Sequence, residues 1–150
     1  YIVMQDADLE LDPNDFKKML PFLLSGEYHV VYGSRFLAEE NSHTYFSYQL
    51  GGKFLSVMTN ILYRQHITDE PTCYKMFTAD LLKSIPLDCE GFEFCPEVTA
   101  KVLRLGYKIK EVPIRYYPRS IEEGKKLRLS DGLKAIGTLL KYRFWKIPES

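Results

Sequence analysis

The chain has 150 residues, 45% of them hydrophobic and 27% charged, which is the composition of one ordinary globular domain. Twenty Lys and Arg balance twenty Asp and Glu, so the zero net charge gives no reason to expect nucleic-acid binding. The charge is unevenly placed, however, because the first ten residues are acidic and residues 125–146 are basic. This asymmetry predicts an acidic site and a separate basic surface.

The cysteine pattern argues against a disulfide framework or a zinc site. Cys73, Cys89 and Cys95 are odd in number and show no Cys-x-x-Cys spacing. A reducing compartment, the cytoplasm, is therefore predicted. No apolar run reaches the length of a membrane span.

The first ten residues carry the strongest local signal in the chain. Residues 1–4 are mostly apolar and predict a short, fully buried strand, which three acids follow at alternating positions: Asp6, Asp8 and Glu10. Three carboxylates so close repel one another unless a cation lies among them, and oxygen ligands suit Mg²⁺ or Mn²⁺. Because ligands bind at the carboxyl ends of strands in open α/β sheets, a metal-diphosphate site is predicted. The alternative is that these acids serve turns and helix caps.

A helix and a second strand complete the opening unit. Asp12-Pro13 predicts a helix start, with Asp12 as the cap, and apolar residues then recur at helical spacing up to Ser25-Gly26. Residues 28–32 predict a second buried strand, after which Arg35 follows. Strand, helix and strand in this order predict parallel strands, which places Arg35 on the same sheet edge as the acids. An arginine there is suited to hold a phosphate; the alternative is a surface arginine in a loop.

The remainder of the chain predicts helices that alternate with two short strands. The irregular residues 37–45 and the charged residues 117–126 are predicted to be mobile loops. Pro113 favours an edge position for the last strand. The final helix either packs on the domain or lies at a membrane interface with its basic residues toward anionic lipid, and the helix over 46–64 is either core or a lipid groove. The predicted elements are helix 46–64, strand 73–77, helix 78–84, helix 90–105, strand 107–117 and helix 127–144.

Four groups of residues together resemble one family. The order and spacing of these motifs are similar to those of family-2 inverting glycosyltransferases, and most similar to the polyprenyl-phosphate (dolichol-phosphate) mannosyltransferase branch. The motifs are Gln5-Asp6-Ala7-Asp8-Leu9-Glu10, Tyr32-Gly33-Ser34-Arg35, Asp69 with Tyr74-Lys75-Met76-Phe77, and Gly106 to Ile114 followed by Arg119 and Lys125-Lys126.

The resemblance implies an α/β fold of the glycosyltransferase A type, with a mixed sheet flanked by helices. The chain lacks an initiator Met and opens inside a strand. We therefore expect residues 1–150 to be one partial catalytic domain whose nucleotide-binding strands lie upstream. It would hold the metal-site strand, the acceptor half, and a basic loop with an amphipathic helix over 117–146.

The resemblance also implies roles for individual residues. Asp6 and Asp8, with Glu10 as a third ligand, would hold Mg²⁺ or Mn²⁺ and the donor diphosphate. Asp8 and Arg35 would act in catalysis. The residues implied in substrate binding are Asp6, Arg35, Lys75, Arg119 and Lys126.

The implied reaction is transfer of a hexose from GDP-mannose or UDP-glucose to a polyprenyl phosphate, with inversion, at a membrane surface. The sequence Phe94-Cys95-Pro96-Glu97 lacks the Glu-Asp pair that supplies the general base in many family-2 enzymes. A phosphate monoester is already ionised and needs no base, so the departure favours a lipid-phosphate acceptor. One alternative is a transferase acting on a sugar hydroxyl, with Glu93 or Glu97 as the base. Another is a non-catalytic binding relative.

Overall fold

The computed structural model describes residues 1–41, 46–119 and 129–147. The predicted order of helices and strands is confirmed throughout this part. The bounds shift by at most four residues at any end. The strands are β1 (Ile2–Val3), β2 (Val30–Ser34), β3 (Lys75–Phe77) and β4 (Ile109–Pro113), and the helices are α1 (Phe16–Leu24), α2 (Phe46–Tyr63), α3 (Ala79–Ser84), α4 (Phe94–Arg104) and α5 (Leu129–Arg143).

The four strands form one mixed sheet in the order β1-β3-β2-β4. Strand β3 runs antiparallel to both β1 and β2, and β4 runs parallel to β2. Strands β1 and β2 therefore point the same way, as predicted, but β3 lies between them. The carboxyl ends of β1, β2 and β4 consequently meet at one edge of the sheet.

The prediction that the first strand is fully buried is wrong. Ile2 and Val3 are half-buried and Tyr1 is 59% exposed. The reason is that, among the described residues, β1 is the last strand of the sheet and pairs on one side only. The edge position predicted for the last strand from Pro113 is confirmed for β4, where only Val112 is buried.

Helices cover both faces of the sheet. Successive side chains of β2 point to opposite faces of the sheet, and both faces are buried, as in a central strand. Val31 packs with Met19 and Leu23 of α1, whereas Val30 and Tyr32 pack against α3 and α4. Helix α5 packs in turn on α4 and α2, through a small cluster around Leu139 and Tyr142.

Two residues have clear local effects, of which the Asp12 cap was predicted from the sequence. Asp12 caps a 3-10 turn over Pro13–Asp15 that leads into α1, and its Oδ1 accepts a hydrogen bond from Asn14 N at 2.8 Å. Gly33 lets the chain after β4 approach closely, because a Cβ at Gly33 would lie 2.7 Å from Ile114 Cγ2.

The final helix is packed on the domain, which confirms the first of its two interpretations. Apolar side chains are nevertheless exposed on its outer side, since Leu133 and Leu140 of α5 are 65% and 46% exposed and Phe144, directly after α5, is 82% exposed. Among the described residues, no helix combines the length and apolar character needed to cross a bilayer. Lys126 and most of the loop predicted over 117–126 lie outside the described residues, as do residues 42–45 of the other predicted loop.

Candidate functional site

The acidic residues after β1 form a tight turn at the shared sheet edge. Asp8 Oδ1 accepts a hydrogen bond from Glu10 N at 3.1 Å, which folds the chain back on itself. Leu9 between them adopts a left-handed conformation with φ of 63° and is 87% exposed. This conformation costs a non-glycine residue roughly 1 kcal/mol, and such strained residues are concentrated at functional sites.

Arg119 closes this turn from the other end of the chain. Its Nη2 donates to Asp8 Oδ2 at 2.9 Å, and its backbone N donates to Glu10 Oε1 at 3.0 Å. The Arg119 Nε lies 3.4 Å from the same Glu10 oxygen. A backbone bridge between Leu11 and Tyr116 places the two segments side by side. Arg119 therefore forms a direct ion pair with the acids, which the sequence did not predict, and its contact with a phosphate stays a prediction.

Asp6 makes a different contact. Its side chain is exposed, and it contacts the Cys73 thiol at the start of the segment that leads into β3. Burial, with this carboxylate as a further cause, raises the pKa of Cys73 well above its ordinary value, so the thiol is protonated and unreactive at neutral pH.

Arg35 follows β2 at the same edge, as predicted, and forms an ion pair that the sequence did not reveal. Its backbone N and Nε donate to Asp69 Oδ2 at 2.9 and 2.8 Å, and its Nη2 donates to Asp69 Oδ1 at 2.8 Å. The guanidinium also lies 5.1 Å from the centre of the Tyr116 ring. Burial opposes the charge, but Asp69 outweighs it and raises the pKa of Arg35 above its ordinary value. Arg35 is thus fixed by Asp69, and contact with a phosphate stays a prediction.

Asp69 is held by a buried polar loop that the sequence predicted only as a turn. The amides of Thr68 and Asp69 donate to the Glu111 carboxylate at 2.8 and 3.0 Å, and Ser34 Oγ lies 2.7 Å from Thr68 Oγ1. Burial raises the pKa of Glu111, since these hydrogen bonds offset it only in part. The sequence showed Glu111 in the alternating pattern of β4 and Asp69 after Thr68. Their spacing along the chain, however, gave no indication that the two segments are hydrogen-bonded to each other.

Lys75 is buried and not exposed at the site edge, so its predicted contact with a phosphate stays a prediction. Its side chain is fully buried, with Nζ 3.8 Å from the centre of the Tyr32 ring and hydrogen-bonded to the carbonyl of Glu70. Burial raises the pKa of the neighbouring Glu70 carboxyl, and the Lys75 charge offsets this only in part. A lysine in β3 faces the interior because both sides of this strand are covered.

Glu97 is also placed differently from the alternative prediction, which made it a general base. Its carboxylate is 1% exposed and pairs with Lys101 Nζ at 2.6 Å, while Asp88 N donates to it at 2.7 Å. Burial alone would raise the pKa of Glu97, but these partners lower it below 4.5. Glu97 therefore stabilises α4 and is not presented to an acceptor. Glu93 is more accessible, 31% exposed, and lies 3.9 Å from Lys134 Nζ.

Two further residues, not predicted, connect the strand ends. The Asn41 side chain donates to the carbonyls of Arg35 and Ile114, both at 2.8 Å, and accepts from Tyr116 N at 3.0 Å. The buried Asp15 accepts from Arg115 N at 2.7 Å and pairs with its guanidinium. Burial disfavours the Asp15 charge, but these partners lower its pKa below 3.8. These contacts join β2, β4 and the start of α1 into one rim.

The donor chemistry at this rim fits a hard divalent cation. Asp6 and Asp8 offer carboxylate oxygens at least partly open to solvent, the ligand type that Mg²⁺ and Mn²⁺ prefer. No group of three acidic, histidine or cysteine side chains arranged to hold a metal occurs within residues 1–41, 46–119 and 129–147. Glu10 as the third ligand stays a prediction, and its carboxylate is contacted by Arg119.

These features agree with the outcome of sequence comparison. Residues 1–85, more than half of the chain, match the model of glycosyl transferase family 2, and the chain belongs to that family. The α/β fold with a mixed sheet flanked by helices accords with this assignment.

Curated relatives are similar over much of the chain. It is 29% identical over 124 residues to the low-salt glycan biosynthesis hexosyltransferase Agl6 of Haloferax volcanii, covering 81% of this chain and 30% of that protein. It is 28% identical over 119 residues to the glycosyltransferase AglJ of the same organism, covering 79% and 39%. An undecaprenyl-phosphate mannosyltransferase of Micrococcus luteus is 34% identical over 73 residues, covering 47% and 30%. The chain thus spans between three and four tenths of the relatives' lengths, and no solved structure shows a significant match.

Proposed function

We propose that this chain is part of an enzyme that transfers a hexose, mannose or glucose, from a nucleotide diphosphate sugar to a polyprenyl phosphate. Membership of family 2 supports the transfer of a sugar. The observation that carries the proposal is the rim where Asp6, Asp8, Arg35 and Arg119 follow three parallel strand ends. Carboxylates for a cation and guanidinium groups for phosphates at one sheet edge suit a diphosphate donor.

Asp6 and Asp8 would hold Mg²⁺ or Mn²⁺, which, when bound, stabilises the negative charge on the leaving diphosphate. Arg119 would contact a phosphate group and reduce the repulsion between an anionic acceptor and an anionic donor. Arg35, fixed by Asp69, would add positive potential from a set position. Lys126 is proposed as a further phosphate contact from the resemblance alone.

The placement of Glu97 supports a phosphate acceptor. A sugar hydroxyl needs a base to take its proton, and the buried pair with Lys101 withdraws Glu97 from that role. A phosphate oxygen is ionised at neutral pH and attacks without a base. The partial exposure of Glu93 keeps one competing function, a family-2 transferase acting on a sugar hydroxyl with Glu93 as the base.

A membrane surface is proposed as a further partner, because the acceptor is a lipid. Two adjacent helices carry exposed apolar side chains, and Lys134, Lys141 and Lys146 beside them suit anionic headgroups. The exposed apolar residues are Leu50, Phe54, Val57 and Ile61 of α2, Leu133 and Leu140 of α5, and Phe144 directly after α5.

The test uses the full-length protein with polyprenyl phosphate in detergent, Mn²⁺ or Mg²⁺, and radiolabelled GDP-mannose or UDP-glucose in parallel. We expect label in the organic extract from one donor, and its loss with EDTA. Asp8→Ala should lower the rate at least about 100-fold, the scale of losing one electrostatic contact to the reacting groups. Asp80→Ala, which removes an exposed carboxylate in α3, is the control and should keep the wild-type rate.

Near-normal turnover by Asp8→Ala would refute the assignment of Asp8. Label in a water-soluble glycan instead of lipid, lost in Glu93→Gln, would refute the phosphate acceptor and favour the hydroxyl transferase. Absence of donor and metal binding by the full-length protein would indicate a non-catalytic relative.

A further inference from the structure

The ion pair between Arg119 and Asp8 occupies the carboxylate that the proposed function assigns to the metal. Both oxygens of Asp8 have partners, since Oδ1 accepts from Glu10 N and Oδ2 accepts from Arg119 Nη2. A divalent cation on Asp8 would lie within a few ångströms of the guanidinium. Two positive groups at that distance repel one another strongly in a partly buried site.

Water screens the charges of Asp8 and Arg119 from each other only in part. Asp8 is 24% exposed and Arg119 is 35% exposed as side chains. The chain before Arg119 is anchored by backbone contacts that do not involve Asp8, namely the Leu11–Tyr116 bridge and the hydrogen bond from Tyr117 N to the carbonyl of Glu10. The guanidinium can therefore leave Asp8 by side-chain rotation while the chain around Arg119 stays in place.

We propose that Arg119 is an internal substitute for the metal, and that Asp8 exchanges Arg119 for the cation as the donor binds. This inference rests on the proposed function and deepens it. In the donor-free protein the guanidinium neutralises Asp8. With metal and diphosphate both bound, Arg119 would release Asp8 to the cation and would pair its guanidinium with a phosphate oxygen.

The exchange predicts a thermodynamic coupling that a merely structural ion pair would not produce. Metal alone must displace Arg119 without giving the guanidinium a new partner, so its affinity is low. Metal together with a diphosphate supplies that partner, so its affinity rises. Arg119 thus makes the two ligands bind cooperatively, and the coupling is reciprocal.

The experiment measures Mn²⁺ binding to the full-length protein by electron paramagnetic resonance, with and without GDP or UDP. Arg119→Gln should bind Mn²⁺ alone about tenfold more tightly than the wild type, which corresponds to 1.4 kcal/mol. The gain in Mn²⁺ affinity on adding the diphosphate should fall by a similar factor. Circular dichroism checks that the variant is folded.

Arg115→Gln is the matched control. It removes the same charged group four residues earlier, but from Asp12 and Asp15 instead of Asp8. We expect its Mn²⁺ affinity to stay within about twofold of the wild type, because its charge lies farther from the proposed ligand.

Three outcomes would overturn the exchange. An unchanged Mn²⁺ affinity in Arg119→Gln, with binding abolished in Asp8→Asn, refutes the exchange and leaves the metal assignment standing. An equal increase in Mn²⁺ affinity in Arg119→Gln and Arg115→Gln would show that the increase comes from the change in the protein's net charge and not from the exchange. Absence of Mn²⁺ binding in the wild type and all variants, with and without diphosphate, refutes the metal assignment and the exchange together.

Discussion

Replacement of Asp69 by Asn tests whether the buried ion pair with Arg35 holds the rim together. Asp69 is fully buried and accepts three hydrogen bonds from Arg35, two of them from the guanidinium. The amide of Asn presents N–H groups toward one of those donors and removes the negative charge. Arg35, whose side chain is only 23% exposed, would then lack its counterion.

The expected cost follows from this geometry. Removing one partner of a buried ion pair costs about 3–5 kcal/mol, because the remaining charge is left uncompensated. Arg35 reaches some solvent, so we expect the lower end, about 3 kcal/mol. Urea unfolding of the full-length protein, followed by circular dichroism, measures the loss in free energy of unfolding. Glu93→Gln is the control, since it breaks the exposed pair with Lys134 and should cost no more than about 1 kcal/mol.

A double-mutant cycle separates the ion pair from other effects of the substitution. Combined with Arg35→Gln, Asp69→Asn should cost much less than the sum of the single changes, with a coupling free energy of about 2 kcal/mol. A loss below about 1 kcal/mol for Asp69→Asn, or additive single and double variants, would show that the pair does not stabilise the rim.

The remaining predictions concern the buried pair of α4 and the apolar side of α5. Because the pKa of Glu97 is lowered below 4.5 in the folded protein, its stabilisation is present above that pH and is lost as the pH falls through the folded value. Glu97→Gln should therefore cost about 3 kcal/mol at pH 7 and less near pH 3 in pH-dependent unfolding, and a cost that does not change with pH would contradict the pairing. The double variant Leu140→Gln with Phe144→Gln should weaken sedimentation with anionic vesicles about tenfold, whereas Leu24→Gln, an exposed residue of α1, should not; equal binding would rule out α5 as the contact.

Local signals made most of the secondary structure predictable. Asp12-Pro13 marks the start of the turn that leads into α1, and Pro113 marks an edge strand, because both depend on properties of single residues. The insertion of β3 between β1 and β2 was not predicted. The pairing of strands that are distant in sequence depends on the whole sheet, and no single residue near a strand indicates which strand it will pair with.

The candidate site was predictable in position but not in its pairings. The shared sheet edge of Asp8 and Arg35 follows from strand direction, which the alternation of strand and helix indicates. The partners Asp69 and Arg119 lie 34 and 111 residues away from them, and spacing along the chain carries no information about such contacts. Lys75 and Glu97 were assigned from resemblance and charge, and burial gave both a structural role.

The bridge between Leu11 and Tyr116 has a consequence for the order in which the protein is assembled. Residues 8–11 leave the ribosome more than a hundred residues before the segment that completes their turn. The contacts of the acidic turn with Tyr116 and Arg119 can therefore form only late in synthesis, after α1, β2 and β3 have been made. During synthesis the nascent chain would carry an unneutralised acidic turn, and the rim would become competent only after Arg119 has emerged.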